Sequence, residues 1–513
     1  MQVYLAMRLV VFSLFIGLVV RLPLSGQDTL RPLDCVERLL RSDPQLRISR
    51  VNVRQQEGRL LQTQAAFDLG TSVNAQYNVD YSPVFSPLGI VFPQVTTSQY
   101  GLGANQELDF GIRLNANMGV QSSTIISSRA DDKRPQNRGF MALNLTVPLL
   151  KNRGSAVTKA PREQAALVLE AVRADVLQSV NMRSADALSA YVEYWYAYRM
   201  LETARTSESV ASESYNLIAE YVKADIRTRA DLREAEQTML ARIGERIAAE
   251  QAAATAYAQL VTVMGDSAVQ SDALPAPSSL REAVGDTLAS KIKLDLITNR
   301  AFARRPDIRG LAIRREAARK AIIGAQSDLL PQLDLGLTVG SNGFNFDTTF
   351  GRYISAYRDN ATPMNVGATI SWALPVQNSQ ARASIMTNEA EYERLTVQEQ
   401  DVRRQIQINC TIALQRLQRA YARELISMKS AMLAEDVYKD EESRIAAGKS
   451  TLVQLRMRQD YVIAAQRELY AVRRDFALAV VQIRFLASLF FKEDGTTVST
   501  TDASLFDLSE LTQ

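Results

Sequence analysis

Apolar and polar residues alternate with a period of two in two separate stretches of the chain. In the first stretch this alternation occupies residues 73–80 and recurs at 112–118 and 141–147, and in the second it occupies 333–339 and 366–372. A period of two is typical of strands with one apolar and one polar face. A soluble sandwich would give the same spacing, but the polar positions hold Asn, Gln, Thr and Ser rather than Lys and Glu. That composition favours a barrel wall between lipid and water.

After each strand block the period changes to that of a long helix. Residues 162–223 and 381–447 contain no proline or glycine, so each segment would extend roughly 95 to 100 Å at the helical rise per residue. Pro161 suits a first helical turn with Thr158 as its cap, while Asn378 or Ser379 would cap the second helix.

Two further helices follow the long ones and carry heptad spacing. The seam is nearly regular over 455–486 and looser over 232–261. Apolar residues at steps of three and four predict a coiled-coil partner. Each long helix is therefore expected to turn back and form an antiparallel pair.

The order helix, strands, long helix, shorter helix occurs twice. Landmarks at positions 44, 148 and 225 recur at 306, 375 and 448, so the offset falls from 306 − 44 = 262 through 375 − 148 = 227 to 448 − 225 = 223. The two copies therefore differ mainly inside the strand region. An internal repeat of this size predicts one structural unit used twice, related by pseudo-symmetry.

These patterns divide the chain into five parts. Arg8 precedes an apolar run at 9–20, which is too short to span a bilayer comfortably and predicts a secretory signal peptide cleaved near Gly26, with an uncleaved anchor as the alternative. The polar, mildly acidic carboxyl end has the composition of a disordered tail. The predicted parts are a signal peptide at 1–26; a first repeat at 27–265, with strands at 67–150 and long helices at 158–264; a linker at 266–290; a second repeat at 291–490, with strands at 331–376 and long helices at 379–490; and a tail at 491–513.

Composition narrows the function. The 513 residues carry a net charge of +3 and are 46% hydrophobic and 22% charged, with no histidine. The small net charge argues against a nucleic-acid partner. Without histidine the chain lacks the usual general base and the commonest metal ligand, so we expect no enzyme, no catalytic residues, no cofactor and no metal. Cys35 and Cys410 match no metal spacing and are predicted to be small buried residues rather than a bridge.

Several short motifs, in this order and partly duplicated, carry a resemblance to a known family. They are Val147-Pro148-Leu149-Leu150 before Arg153-Gly154, Tyr194-Trp195, Arg305-Pro306-Asp307 leading to Leu330-Pro331, and the segment from Arg444 to Thr451. At these residues the chain resembles the TolC family of outer membrane efflux and secretion channels, over about residues 29–490.

The resemblance implies an α+β membrane protein with two structural repeats. In this family a homotrimer pools four strands per chain into a twelve-stranded β-barrel, which continues as an α-helical periplasmic tunnel of antiparallel coiled coils. Elementary geometry agrees, because four strands close no wide barrel and an open sheet leaves edges that lipid does not tolerate. The implied location is the outer membrane of a Gram-negative type cell envelope, with outer membrane lipid around the barrel and the helices in the periplasm.

The resemblance also implies a function and partners. The chain would be the passive exit duct of a tripartite efflux pump or a type I secretion system, joined through a periplasmic adaptor (membrane fusion protein) to an inner membrane pump or ABC transporter. The alternative is a periplasmic adaptor with long helical hairpins, although adaptors place one hairpin within small domains and this chain has two. The sequence does not specify the cargo. It also leaves the number of strands in the first repeat open, since residues 98–127 would either extend two strands or add a small extracellular hairpin.

The turns at 222–231 and 445–454 are predicted to form the periplasmic end of the tunnel. Family members narrow that end with rings of aspartate, but Gln454 and Met457 occupy the corresponding positions here, so an acidic ring is not carried over. One hypothesis is that Asp231 pairs with Lys449 or a neighbour and holds the tunnel closed, the alternative being solvated charges at helix starts. The candidate gate residues are Asp231, Lys449, Ser450, Gln454, Arg456 and Met457, and the candidate adaptor contacts are Asp225, Ile226, Gly448 and Thr451.

Overall fold

A computed structural model of the chain describes residues 29–86, 89–91, 94–126, 135–266, 274–278, 280, 292–349, 351–447, 449–490, 505–508 and 511. The predicted signal peptide, most of the linker, Gly448 and most of the tail lie outside the described residues. No helix within these ranges has an apolar stretch long enough to cross a membrane.

The first repeat begins with two helices and ends with a pair of long ones. Its strands form a sheet, and a small separate hairpin, β2–β3, lies between β1 and β4 in the sequence. In chain order the elements are α1 (Pro32–Ser42), α2 (Pro44–Gln64), β1 (Gly70–Asp80), β2 (Val84–Ser86), β3 (Gly89–Val91), β4 (Gln94–Glu107), β5 (Arg113–Ile126), β6 (Gln136–Pro148), α3 (Ser155–Thr158), α4 (Ala160–Lys223) and α5 (Arg229–Met264).

The second repeat has the same order with fewer strands. Its elements are α6 (Leu294–Arg304), α7 (Pro306–Asp328), β7 (Gln332–Asn345), α8 (Arg352–Arg358), β8 (Asn365–Ala373), α9 (Ser379–Ala446) and α10 (Leu452–Leu486). The long helices α4 and α9 contain 64 and 68 residues, as the absence of proline and glycine predicted. Helix α5 packs along α4 and α10 along α9, so each long helix does pair with the helix that follows it.

The predicted caps of the two long helices are not formed. Lys159 occupies the N-cap position of α4 and makes no side-chain cap, while Thr158 ends the short helix α3 and its hydroxyl donates to the Gly154 carbonyl at 3.0 Å. Asn378 is the N-cap residue of α9, but its backbone is left-handed and its side chain caps no amide of that helix. The Asn378 amide nitrogen instead donates to the Leu329 carbonyl at 3.2 Å, which ties the start of α9 to the end of α7.

One antiparallel sheet contains six strands in the order β1-β4-β5-β6-β7-β8. This count corrects the expectation of four strands per chain. The extra pair is the hairpin β4–β5, which stands between β1 and β6 with continuous register on both sides. The described sheet has two strands more than a twelve-stranded barrel would take from each of three chains.

The sheet has one apolar and one polar face, as the period of two predicted. Neighbouring strands bring the same kind of residue into each cross-strand row. One row on the apolar face is Ala104, Ala116, Leu143, Val339 and Val366. The adjacent row on the polar face begins with Asn105, Asn115 and Asn144.

The main core lies where both helix pairs meet α1 and α6. Tyr191 and Tyr194 of α4 are fully buried there, and Tyr194 donates its hydroxyl hydrogen to the Pro275 carbonyl at 2.5 Å. Burial raises the pKa of the Tyr194 phenol far above its ordinary value. Both cysteines are buried and neither is in a disulfide, which confirms the prediction that they are small buried residues.

The described part of the tail is packed rather than disordered, which corrects the compositional expectation. Leu505, Phe506 and Leu508 are buried in the main core. Arg484 of α10 donates a hydrogen bond to the Asp507 carbonyl and another, at 2.6 Å, to the Leu489 carbonyl. The burial of three large apolar side chains opposes the entropic cost of ordering this segment.

A buried ion pair fixes the first repeat's short helices to its long one. Asp43 is buried between α1 and α2, accepts a hydrogen bond from the Gln45 amide at 2.8 Å and lies 2.6 Å from Arg183 of α4. The Asp43 side chain raises the pKa of the Arg183 guanidinium, although partial burial opposes that shift. Removing one member would leave a buried charge without its partner, which costs about 3–5 kcal/mol.

Candidate functional site

The two turns between the paired helices share an equivalent backbone hydrogen bond at the end of the long helix. At the end of α4 the Ile226 amide donates to the Tyr221 carbonyl at 2.9 Å, and at the end of α9 the Lys449 amide donates to the Arg444 carbonyl at 2.8 Å. Both bonds span five residues and belong to the Schellman type of helix ending. Ile226 and Lys449 differ by 449 − 226 = 223 positions, which is the offset of the internal repeat at this end.

Asp225 adopts a left-handed backbone conformation, with φ of 57°, in the position that usually holds glycine after a helix. Asp and Asn are the residues besides glycine that tolerate this region best. Gly448, the equivalent residue in the second repeat, lies outside the described residues. Asp225 and Ile226 are both exposed, as a contact surface for another protein requires.

Each returning helix begins with a capping box. In the first repeat the Thr228 amide donates to an Asp231 carboxylate oxygen at 3.0 Å, and the Asp231 amide donates to the Thr228 hydroxyl at 3.2 Å. In the second, Thr451 and Gln454 exchange the equivalent bonds, both at 3.4 Å. The boxes satisfy amides that have no partner in the first turn of a helix.

The capping role changes the interpretation of Asp231. The hydrogen bond from the Thr228 amide lowers the pKa of the Asp231 carboxylate below its ordinary value of 3.8. Within one chain this carboxylate bonds to its own helix start, and no ion pair with Lys449 is found among the described residues. The hypothesis that Asp231 pairs with Lys449 or a neighbour and holds the tunnel closed stays a prediction.

Ser450 takes part in a polar cluster that closes the second turn. Its hydroxyl contacts the carboxylate of Glu441 and lies 2.8 Å from the Gln454 side-chain oxygen. The Glu441 side chain is only 8% exposed and also lies 3.8 Å from Arg444 and 4.0 Å from Arg458. These contacts join the end of α9 to the start of α10. Met457 is 53% exposed, and no contact in the described part of the chain gives it a specific role.

A second group of charged residues, which sequence analysis did not identify, joins the two helix pairs to each other. Arg242 of α5 lies 2.8 Å from Asp460 of α10, and Arg467 of α10 lies 2.8 Å from Glu245 of α5. Burial opposes ionisation of Glu245, but the hydrogen bond from Arg467 and the charge of Arg242 hold the pKa of Glu245 below its ordinary value. We call these four residues the α5–α10 charge network.

A groove of about 360 Å³ lies beside this network, between α4, α5 and α10. Arg456 lines it together with Leu217, Arg242, Leu455 and Asp460. The candidate gate residue Arg456 therefore lies near the network rather than at the tip of the turn. The lining of the groove mixes apolar and polar residues, with charged side chains on each of the three helices.

The structure separates the predicted site residues into two levels. Most of them lie at the two turns, namely Asp225, Ile226, Asp231, Lys449, Ser450, Thr451 and Gln454. Arg456 lies farther along α10, in the groove. The four residues of the α5–α10 charge network were missed because helical periodicity identifies the face a residue occupies but not the helix that faces it. Complementary charges on the two returning helices, Arg242 with Asp460 and Glu245 with Arg467, were the available signal.

Comparison of the chain with known protein families gives one match, to part of the chain. The profile of the family described as "Outer membrane efflux protein" matches residues 297–488. No curated protein sequence matches the chain significantly. The family match covers nearly all of the second repeat and confirms the resemblance inferred from its motifs.

Solved structures match over most of the chain. The outer membrane protein VceC of Vibrio cholerae is 16% identical, with a TM-score of 0.59, over 89% of this chain and 96% of that one. The CmeC outer membrane channel of Campylobacter jejuni is 12% identical, with a TM-score of 0.60, over 93% and 90%. The MtrE outer membrane channel of Neisseria gonorrhoeae is 15% identical, with a TM-score of 0.60, over 89% and 88%. At these identities the likeness establishes the fold.

Proposed function

We propose that this chain, which has the fold of outer membrane channels and matches outer membrane efflux proteins in its second repeat, is the passive exit duct of an export machine. Three copies would form a ring whose sheets make a barrel in the outer membrane and whose helices make a tunnel in the periplasm. The observation that carries this proposal is the sheet, which is apolar on one face, polar on the other and open at both edges. Such a sheet needs lipid, water and neighbouring strands at once.

The two edge strands of the sheet are oriented so that one copy could pair with the next. In the described sheet β1 and β8 are the edge strands, and five antiparallel ladders separate them. The edges therefore run in opposite directions, so β1 of one copy is oriented to pair with β8 of the next in the same antiparallel manner. A heterologous contact of this kind closes into a ring.

The helices indicate where the neighbouring copy packs. Helix α7 lies between α4 and α9 of its own chain and buries seven residues. Its counterpart α2 packs on α4 and buries only Leu46. The pseudo-symmetry of the repeats predicts that the other face of α2 contacts α9 of a second copy.

Exposed apolar residues lie on both sides of this predicted contact. Ile48, Val51 and Leu61 of α2 are more than half exposed, and so are Val397 and Ile426 of α9. Contact between α2 of one copy and α9 of the next would cover these side chains.

The barrel would stand in the lipid with its apolar face outward. Leu102, Met118 and Met141 would then contact lipid, while Gln99 and Gln121 would line water. Both long helices leave the same end of the sheet, so both would lie on one side of the membrane, which we propose is the periplasmic side. Polar amide side chains on the inner wall suit passive conduction of varied solutes rather than specific binding.

At the periplasmic end the α5–α10 charge network would hold the two helix pairs of one chain together in the resting tunnel. A periplasmic adaptor would contact the exposed turns around Asp225, Ile226 and Thr451 and the groove above them. An inner membrane pump or ABC transporter would supply the cargo and the energy.

Two measurements test the proposal. Membrane-extracted protein should migrate as an oligomer on a gel when unheated and as a monomer after boiling. The same oligomer should form ion-conducting pores in a planar lipid bilayer. A well-behaved monomer in buffer without detergent, or an oligomer that gives no conductance, would contradict it.

A further inference from the structure

The hairpin β4–β5 is an insertion into one copy of the repeated unit. Between the start and the end of the strand region the repeat offset falls by 262 − 227 = 35 residues. The hairpin occupies residues 94–126, which is 126 − 94 + 1 = 33 residues. Without it, β1 and β6 of the first repeat would correspond to β7 and β8 of the second, and each repeat would contribute two strands.

The inserted hairpin has the two-faced pattern of the strands around it. In one cross-strand row Leu102 and Met118 lie between Val73 of β1 and Met141 of β6, all on the apolar face. In a row on the polar face Gln99 and Gln121 lie between Gln76 and Arg138. A hairpin that lay over the sheet or projected into solvent would not need this alternation on both of its strands.

The turn of the hairpin is fixed to the base of the long helix. The Gly154 amide donates to the Phe110 carbonyl at 3.4 Å, and Lys159 lies 2.8 Å from Asp109. A β-carbon on Gly111 would lie 2.4 Å from the Asn152 carbonyl oxygen, so glycine permits this close approach. The hairpin therefore has contacts along both strands and at its turn.

We infer that the hairpin is part of the barrel wall and that the ring of three copies has 3 × 6 = 18 strands. This inference rests on the proposed function for the number of copies. Barrel diameter grows roughly linearly with strand number, so at equal strand tilt the wall would be about 1.5-fold longer in circumference than one of twelve strands. The partner that completes the wall is a second copy of this chain, met at β1 and β8.

Paired cysteines test whether the hairpin lies between β1 and β6. The variants V73C/L102C and Q76C/Q99C place cysteines on directly opposed residues of β1 and β4, one pair on each face. Opposed pairs alternate between two backbone geometries, so the two faces together sample both. We expect an intrachain disulfide in at least one variant after mild oxidation in the membrane, detected by peptide mass spectrometry.

Matched controls join β1 to β6 in the same rows. V73C/M141C and Q76C/R138C are separated by three strand spacings, about 14 Å, which is beyond the reach of a disulfide. We expect no intrachain bond in either. If β1–β6 bonds form and β1–β4 bonds do not, the hairpin lies outside the wall and the inference is overturned.

Copy number and strand count are measured separately. Native mass spectrometry of the extracted oligomer should give three copies, and single-particle images of the barrel in cross-section should show 18 strands. Three copies with 12 strands would overturn this inference and leave the proposed function intact. A monomer without a pore would overturn the proposed function, while the cysteine pairs would still report on the hairpin.

Discussion

Lys159 Nζ lies 2.8 Å from a carboxylate oxygen of Asp109, and this ion pair joins the β4–β5 turn to the start of α4. The pair is partly exposed, so it contributes at most about 1 kcal/mol. The close approach of Gly111 to Asn152 is the stronger constraint on the same turn, because the φ of Gly111 is 82° and a side chain there would collide with backbone.

Gly111→Ala should therefore destabilise the oligomer by about 1–3 kcal/mol, and Lys159→Met by less than about 1 kcal/mol. The measurement is the temperature at which the unboiled oligomer dissociates on a gel. Gly324→Ala is the matched control, since a β-carbon at Gly324 meets nothing within 4 Å and alanine favours the helix. Equal dissociation temperatures for Gly111→Ala and the wild type would show that the turn is not held in this way.

The α5–α10 charge network should limit opening of the periplasmic end. Asp460→Ala removes the 2.8 Å contact with Arg242. Because an exposed pair contributes up to about 1 kcal/mol, the ratio of open to closed tunnel should rise by at most about fivefold. Single-channel recording in a planar bilayer would measure this as a larger mean conductance.

Glu468→Ala is the control for that experiment. Glu468 lies 3.0 Å from Arg423 of α9, so this pair joins helices within one coiled coil rather than between the two. Its removal should leave the conductance unchanged. An equal rise in both variants would attribute the effect to general loosening of the stem.

Acid should loosen the first turn through Asp231. The pKa of this carboxylate is lower in the folded chain than its ordinary value of 3.8, so its contribution to stability is complete above that pH and is lost as the pH falls through the folded pKa. Hydrogen exchange of peptides covering residues 224–236, corrected for intrinsic rates, should rise below pH 3.8.

Asp231→Asn keeps an oxygen that accepts from the Thr228 amide but does not titrate. Its corrected exchange should be independent of pH over the same range. If wild type and Asp231→Asn respond to acid alike, protonation of Asp231 is not the cause of the loosening.

The packed tail should contribute strongly to stability. Phe506 is fully buried in the main core, so Phe506→Ala should cost about 3–5 kcal/mol. Phe110 is 63% exposed, and Phe110→Ala should change stability little. The readout is again the dissociation temperature of the oligomer, and a neutral Phe506→Ala would show that the tail leaves the core in the assembled protein.

Long-range helical structure was predictable from the sequence because uninterrupted helix formers leave few alternatives. The first long helix was expected to end at Lys223 and does so, and the second was expected to run from about Ser379, where it begins. The caps were not predictable in the same way. Thr158 has the right chemistry for a cap, but it is the last residue of the short helix α3, and its hydroxyl bonds within that helix instead.

Strand number was the weakest part of the sequence prediction. Alternation identified strands over 112–118 and 141–147, yet it does not determine how many of them share one sheet. The fall of 35 residues in the repeat offset is close to the 33 residues of the inserted hairpin, so the sequence did indicate the size of the insertion. Only the pairing register shows that the inserted residues stand inside the sheet.

The internal repeat identified the turn residues of the candidate site, but it did not predict that they form capping boxes. The spacing of Thr228 and Asp231 is that of a capping box, and this local role competes with the ion pair that was expected. In the tail, the polar average composition concealed three apolar residues within four positions. These residues, Leu505, Phe506 and Leu508, all pack in the main core.

The matching turns of the two repeats have a consequence for assembly. Thr228 with Asp231 and Thr451 with Gln454 form equivalent boxes, but one box contains a carboxylate and the other an amide. A ring of three copies would thus present six helix starts with the same type of capping box and two chemistries. A partner with a single binding segment would meet two classes of binding site in equal number. Its affinity would differ between the two classes, so the sites would fill in succession as its concentration rises.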